Sequence, residues 1–152
     1  LIHIVVVVLI FYLFKGVSKL QERLFLVFGL MGVPIAMLNT INWVAAVMSV
    51  NDPGTMMFYL NLYKEGEFIA SIFWGLWLLP LGALALKSKY FPKFIGHALF
   101  IGGFGYFFGS LLHFVFPTVE LINIVFIDIM TIGEMVFIFW LIAKGANLPD
   151  AT

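Results

Sequence analysis

FIASIFWGLWLLPLGALAL, residues Phe68–Leu86, holds 19 residues without one Asp, Glu, Lys or Arg. A helix needs about 20 apolar residues to cross the ~30 Å hydrocarbon core of a bilayer. The strands of a membrane barrel would instead be ~10-residue segments of alternating polarity, which this run is not. Working outward, four further apolar runs appear: Leu1–Phe14, Leu24–Val50, Phe94–Phe116 and Leu121–Ala143. The pattern predicts an all-α fold, a polytopic transmembrane helical bundle forming a single domain over residues 1–152. Its five spans are expected at about 1–14, 24–50, 68–86, 94–116 and 121–143. The first run is short, and the chain opens on Leu1 inside it with no charged segment ahead, so it reads as truncated at the N-terminus, with six spans expected in the full protein.

Composition agrees with that solvent. The chain is 63% hydrophobic and 11% charged, with a mean hydropathy of +1.11, whereas soluble domains are roughly 45–50% apolar and about 25% charged. In lipid every backbone polar group must be satisfied internally, which helices achieve. A net charge of +0 gives no reason to expect nucleic acid as a partner. Without cysteine there are no disulfides, thiol nucleophiles or thiolate metal sites. No phosphate-binding loop and no H-E-x-x-H is present, and no cofactor is implied.

The segments between runs carry helix-end signals. Asn51-Asp52-Pro53-Gly54 reads as a turn in which Asp52 caps a helix and Pro53 occupies its first turn. That helix, Thr55–Tyr63, is expected to lie in the interface ahead of the third span. Pro117 closes the fourth span, and Pro34 and Pro80 are expected to kink theirs. If the chain crosses at every run, Lys15, Lys19, Arg23, Lys87, Lys89, Lys93 and Lys144 fall on one side, against Lys64 with Asp52, Glu65, Glu67 and Glu120 on the other. The positive-inside rule then places the loops at 15–23 and 87–93 and the C-terminus in the cytoplasm. Tyr12, Tyr59, Tyr63 and Tyr90 fall where an aromatic belt would.

Two carboxyls resist assignment to a loop. Asp128 lies about 10 Å inside the outer end of the fifth run, and Glu134 about 20 Å inside, near mid-membrane. No Lys or Arg is placed to pair with Glu134, and an intramembrane acid is a functional-site hypothesis by default. It can be protonated, hydrogen-bonded to another intramembrane polar group, or exposed to a water-filled cavity that takes a proton, a cation or an amine. Candidate companions are Asn39 and Asn42 on the second run, Glu67 at the head of the third, and Tyr106 and His113 on the fourth. Small residues share their faces: Gly32 and Ala36 with Asn39; Ser71, Gly75 and Gly82 with Glu67; Gly102 and Gly109 with Tyr106 and His113. Such stripes let membrane helices approach closely. Ser110, His113 and Asp128 lack the nucleophile elbow of a hydrolytic triad. Glu67, His113 and Asp128 have metal-ligand chemistry without ligand spacing.

Phe73–Gly82 (FWGLWLLPLG), the K-S-x-x-x-P-K loop of Lys87–Lys93, Gly102–Ser110 (GGFGYFFGS) and Gly133–Gly145 (GEMVFIFWLIAKG) together resemble a bacterial membrane family catalogued as domain of unknown function 4386. The resemblance implies a bundle of about six helices in a bacterial cytoplasmic membrane and brings no activity with it. Glu134 matches the Glu of the family's G-E element.

The leading expectation is a multi-pass membrane protein that binds a small solute or ion in an outward-facing polar pocket, coupled to protonation of Glu134. The rival is a structural or regulatory protein that packs a membrane partner, or a second copy of itself, through its Gly-rich faces. An intramembrane metal-dependent enzyme is the third and weakest reading.

Overall fold

A computed structural model describes residues 2–116 and 120–147; within the second stretch the side chains of residues 120–130 lie outside the description. Five helices follow one another: α1 (Ile2–Leu13), α2 (Lys19–Met48), α3 (Pro53–Ser88), α4 (Lys93–Val115) and α5 (Glu120–Lys144). Among the described residues three of them, α2, α3 and α4, are long and apolar enough to cross a membrane. That is two fewer than the five spans expected from sequence. α1 has 12 residues, about 18 Å at 1.5 Å per residue, and falls short of a crossing. The Pro117 stop signal lies outside the described residues.

The largest departure from expectation is α3. The Thr55–Tyr63 helix is not a separate interfacial element but the first part of one 36-residue helix. Lys64-Glu65-Gly66-Glu67 looked like a break because it is charged and contains glycine. It holds no proline, however, so each of its backbone amides can donate within the helix. Gly66 serves packing: a Cβ there would collide with the Asn39 side chain of α2. The N-terminus of α3 forms as anticipated. Asp52 Oδ1 accepts from the amides of Gly54 at 3.1 Å and Thr55 at 3.3 Å, and Oδ2 accepts from the Thr55 hydroxyl at 2.7 Å. These bonds hold the Asp52 carboxyl below its ordinary range, the Thr55 hydroxyl contributing most. α2 and α3 continue as helices through Pro34 and Pro80.

α3 is the axis of the bundle. It packs on α2 and α4, α4 packs on α5, and α1 packs on α2. Glycine governs the α3–α4 contact. A Cβ on Gly75 would lie 2.8 Å from the Gly103 carbonyl oxygen and 2.8 Å from the Phe107 amide nitrogen. One on Gly82 would lie 3.0 Å from the Gly96 carbonyl oxygen. The α3 stripe read from sequence therefore faces α4. On α4 the partner positions are Gly96 and Gly103, and Gly102 turns instead to Gly133 of α5, 3.0 Å from where a Cβ there would sit.

One end of the bundle collects the basic segments. Phe14, after α1, stacks on Tyr90 at 6.0 Å and meets Phe91 at 5.9 Å in the α3–α4 loop. The Asn147 amide, after α5, donates to the Tyr90 carbonyl at 3.0 Å. The elements carrying Lys15, Lys87, Lys89 and Lys144 thus meet at the same end, as the alternation of charge required. The buried apolar core, including Phe14, Phe25, Leu81, Ile95 and Leu99, fills this half.

Glu22 locks the same end. It is buried, and its Oε1 accepts from the amides of Gly16 at 3.0 Å and Ser18 at 2.8 Å, closing the α1–α2 turn. Gly16 has a φ of +93°, a backbone that favours glycine, so the turn is specified at both ends. Glu22→Ala leaves two amides without their acceptor. The expected loss is about 1–3 kcal/mol of unfolding free energy, read by thermal or denaturant unfolding of the purified protein in detergent. An unchanged transition would mean that water serves those amides equally well.

Candidate functional site

The polar side chains lie in the other half of the bundle. α2 and α5 flank the α3–α4 pair, and their described residues form no packed face with one another. The gap between them is a cavity of about 510 Å³. α3 contributes Tyr63, Glu67, Trp74 and Trp77; Tyr106 comes from α4, Glu134 from α5, and His3 from α1. The α2 wall is Val33, Ala36, Met37 and Thr40. A second, more apolar chamber of about 400 Å³ shares Tyr63, Glu67, Trp74 and Tyr106 and adds Lys64, Phe68, Ser71 and Thr131. Those four shared residues form the boundary between the chambers.

Helical spacing explains the placement. Tyr63, Glu67 and Trp74 fall at i, i+4 and i+11, one stripe along α3. Glu134 follows Gly133, whose close fit on Ala98 and Gly102 sets α5 against α4 and carries the next side chain into the gap. Glu134 is only partly exposed, and among the described residues it has no hydrogen-bond or ion-pair partner. The Tyr106 phenol is within electrostatic reach of its carboxyl.

Glu67 is held. Asn39 Nδ2 donates to Glu67 Oε1 at 3.3 Å and to the Tyr63 carbonyl at 2.8 Å, and Asn42 Nδ2 donates to Asn39 Oδ1 at 3.0 Å. Asn39 is buried, so this relay fixes α2 to α3 and orients the carboxyl at the cavity wall. Asn39 and Asn42 stand behind the site rather than in its lining.

Other candidates go elsewhere. His113 is buried outside both chambers; its Nε2 lies 3.0 Å from Glu65 Oε2, and its ring stacks on Phe68 at 3.6 Å and 11°. Ser110 lies 2.6 Å from the Ser71 hydroxyl, a contact that ties α4 to α3, and its hydroxyl donates to the Tyr106 carbonyl of its own helix at 2.7 Å. Asp128 lies on α5 with its side chain outside the described residues. Among the described residues no three His, Asp or Glu side chains are grouped to hold a metal ion.

Glu67, Tyr106 and Glu134, three of the sequence candidates, share one cavity. His3, Trp74 and Trp77 were not anticipated there. Trp77 stacks on Phe25 at 5.4 Å and meets His3 at 4.9 Å, so its ring is anchored between them. The signal that could have found Trp74 was its spacing from Tyr63 and Glu67.

The sequence profile of Domain of unknown function (DUF4386) matches residues 1–145. The chain belongs to that family. It is also similar to an uncharacterized protein of Archaeoglobus fulgidus, 30% identical over 150 residues, which covers 99% of this chain and 81% of the relative. No solved structure matches. The match covers all the elements that build the cavity, from His3 of α1 to Glu134 of α5, so the DUF4386 region and the candidate site coincide.

Proposed function

We propose that the protein is a multi-pass membrane protein that binds a small solute or ion in the α2–α5 gap, and that Glu134 exchanges a proton as the ligand enters or leaves. One observation carries the reading: two carboxyls, Glu67 and Glu134, line one cavity whose described walls hold no Lys or Arg. A volume of about 510 Å³ falls within the roughly 300–1,000 Å³ typical of small-molecule sites. Titratable groups face Glu134 from three elements: Tyr106 on α4, Glu67 and Tyr63 on α3, and His3 on α1. The α2 wall offers none.

In this reading α5, at 25 residues, crosses with α2, α3 and α4. The basic end faces the cytoplasm. α3, about 54 Å long at 1.5 Å per residue, then projects beyond the hydrocarbon on the outer side. Glu67 lies near the outer boundary and Glu134 deeper, so the cavity opens outward and transport or sensing begins from that side of a cytoplasmic membrane. The rival reading, docking of a membrane partner through glycine-rich faces, is disfavoured because Gly75, Gly82, Gly96, Gly103 and Gly133 are occupied by the protein's own helices.

The test is a thermal-shift screen of small amines, alkali cations, amino acids and sugars against the detergent-solubilised chain at acidic and alkaline pH. One class is expected to raise the unfolding temperature with a pH dependence, and Glu134→Gln is expected to abolish that dependence. A ligand that keeps its affinity and pH profile in Glu134→Gln overturns the proposal.

A further inference from the structure

We infer that the ligand is a monovalent organic cation with an apolar body, a substituted ammonium group carrying an aromatic or branched alkyl substituent. This rests on the solute-binding reading of the cavity and names its substrate class. Three observations converge on it.

The first is charge. The main chamber contains two carboxyls, and no Lys or Arg offsets them among its described lining residues. An anionic ligand would meet uncompensated repulsion in a medium of low dielectric, whereas a cation supplies the missing partner.

The second is the aromatic wall. Tyr63, Trp74 and Tyr106 separate the two chambers, and Glu67 stands among them. Aromatic faces attract desolvated ammonium groups through their quadrupoles, and recognition of quaternary ammonium ligands uses such walls. A strongly hydrated alkali cation would gain little from these rings.

The third is the shape of the space. The chamber beyond the wall is lined by Phe68, Trp74, Tyr106 and the small hydroxyl residues Ser71 and Thr131, with Lys64 as its one basic lining residue, so the ammonium group belongs in the main chamber and only the apolar body here. It takes an apolar substituent while the ammonium remains between Glu67 and Glu134. The two adjoining volumes, about 510 and 400 Å³, each far exceed what a single bare ion fills. Grouped metal ligands are also lacking among the described residues.

Binding of the cation displaces a proton from Glu134, so affinity rises with pH and each binding event releases a proton into an unbuffered medium.

The experiment uses the full chain in detergent and two water-soluble probes of similar size and opposite charge, benzyltrimethylammonium and phenylmethanesulfonate, titrated calorimetrically at acidic and alkaline pH. Benzyltrimethylammonium is expected to bind saturably, more tightly at alkaline pH, and phenylmethanesulfonate not at all. Glu134→Gln and Glu67→Gln are each expected to weaken the cation at least about tenfold, and Trp74→Leu to weaken it about 2–30-fold, the range of a cation–π contact. The probe pair needs no variant, so a variant that fails to fold leaves the comparison intact. Preferential binding of phenylmethanesulfonate, or equal binding of both probes, overturns the cation assignment and leaves a solute site. If neither probe binds and the wider screen also finds no Glu134-dependent ligand, both the assignment and the solute-binding reading fall.

Discussion

Gly75→Val is expected to lower the stability of the protein by about 3 kcal/mol, the upper end of the range for overpacked interiors. The size follows from what the new side chain would meet. A Cβ at Gly75 lies 2.8 Å from the Gly103 carbonyl oxygen, 2.8 Å from the Phe107 amide nitrogen and 2.7 Å from the Tyr106 Cβ. Two of these atoms are backbone, inside a helix whose hydrogen bonds fix them, so they cannot rotate aside as a side-chain tip would. The branched carbons of valine extend the conflict. α3 and α4 must separate, and the Ser71–Ser110 contact at 2.6 Å, one turn away, is lost with them. Unfolding in a denaturant series, or the midpoint of a heating curve in detergent, reads the loss. Gly54→Ala supplies the control: its Cβ meets only Asp52 Oδ1, at an ordinary 3.5 Å, so it should stay close to the parent. Equal stability of Gly75→Val and Gly54→Ala would mean that the α3–α4 crossing is not this close.

What could be read from the chain divides by whether the cause was local. Phe94–Phe116 predicted α4, observed as Lys93–Val115, nearly to the residue, because the basic loop before it and the apolar run itself are written in adjacent positions. The meeting of the basic loops at one end followed from counting crossings. Glu134 stood out because a carboxyl near the middle of an apolar run is conspicuous wherever it points. The charged turn at 64–67 misled for the converse reason: local polarity suggested a break, while the reason for helix continuity is the fit of Gly66 on Asn39, a contact from another element. The distinction between Gly102 and Gly103 likewise depends on the rotation of α4 about its axis, which only α3 and α5 together decide. His3 and Trp77 entered the cavity wall through tertiary contact alone: the His3 Nε2 lies 3.1 Å from the Gly29 carbonyl, and its ring rests on Trp77.

Gly133→Val joins the packing to the site. A Cβ at Gly133 runs into the Ala98 carbonyl and comes within 3.0 Å of the Gly102 Cα, so α5 must tilt away from α4 at the residue immediately before Glu134. Two losses are expected together: about 1–3 kcal/mol of stability from the disrupted interface, and at least about a tenfold loss of cation affinity, because the carboxyl leaves the gap that Tyr106 and Trp74 define. The pair of effects separates this variant from Glu134→Gln. Glutamine there keeps the shape and removes an unpaired ionisable group from low dielectric, so stability is retained or improved while the pH dependence of binding disappears. Gly133→Ala, with the same first carbon but no branches, should fall between the parent and Gly133→Val in both measurements. If Gly133→Val loses stability yet binds benzyltrimethylammonium as tightly as the parent, Glu134 cannot be the group that meets the ligand, because its position and the helix contact would then be independent. If stability and affinity fall in step across the Gly133 series while Glu134→Gln changes affinity alone, the carboxyl acts through its charge and the glycine through its placement.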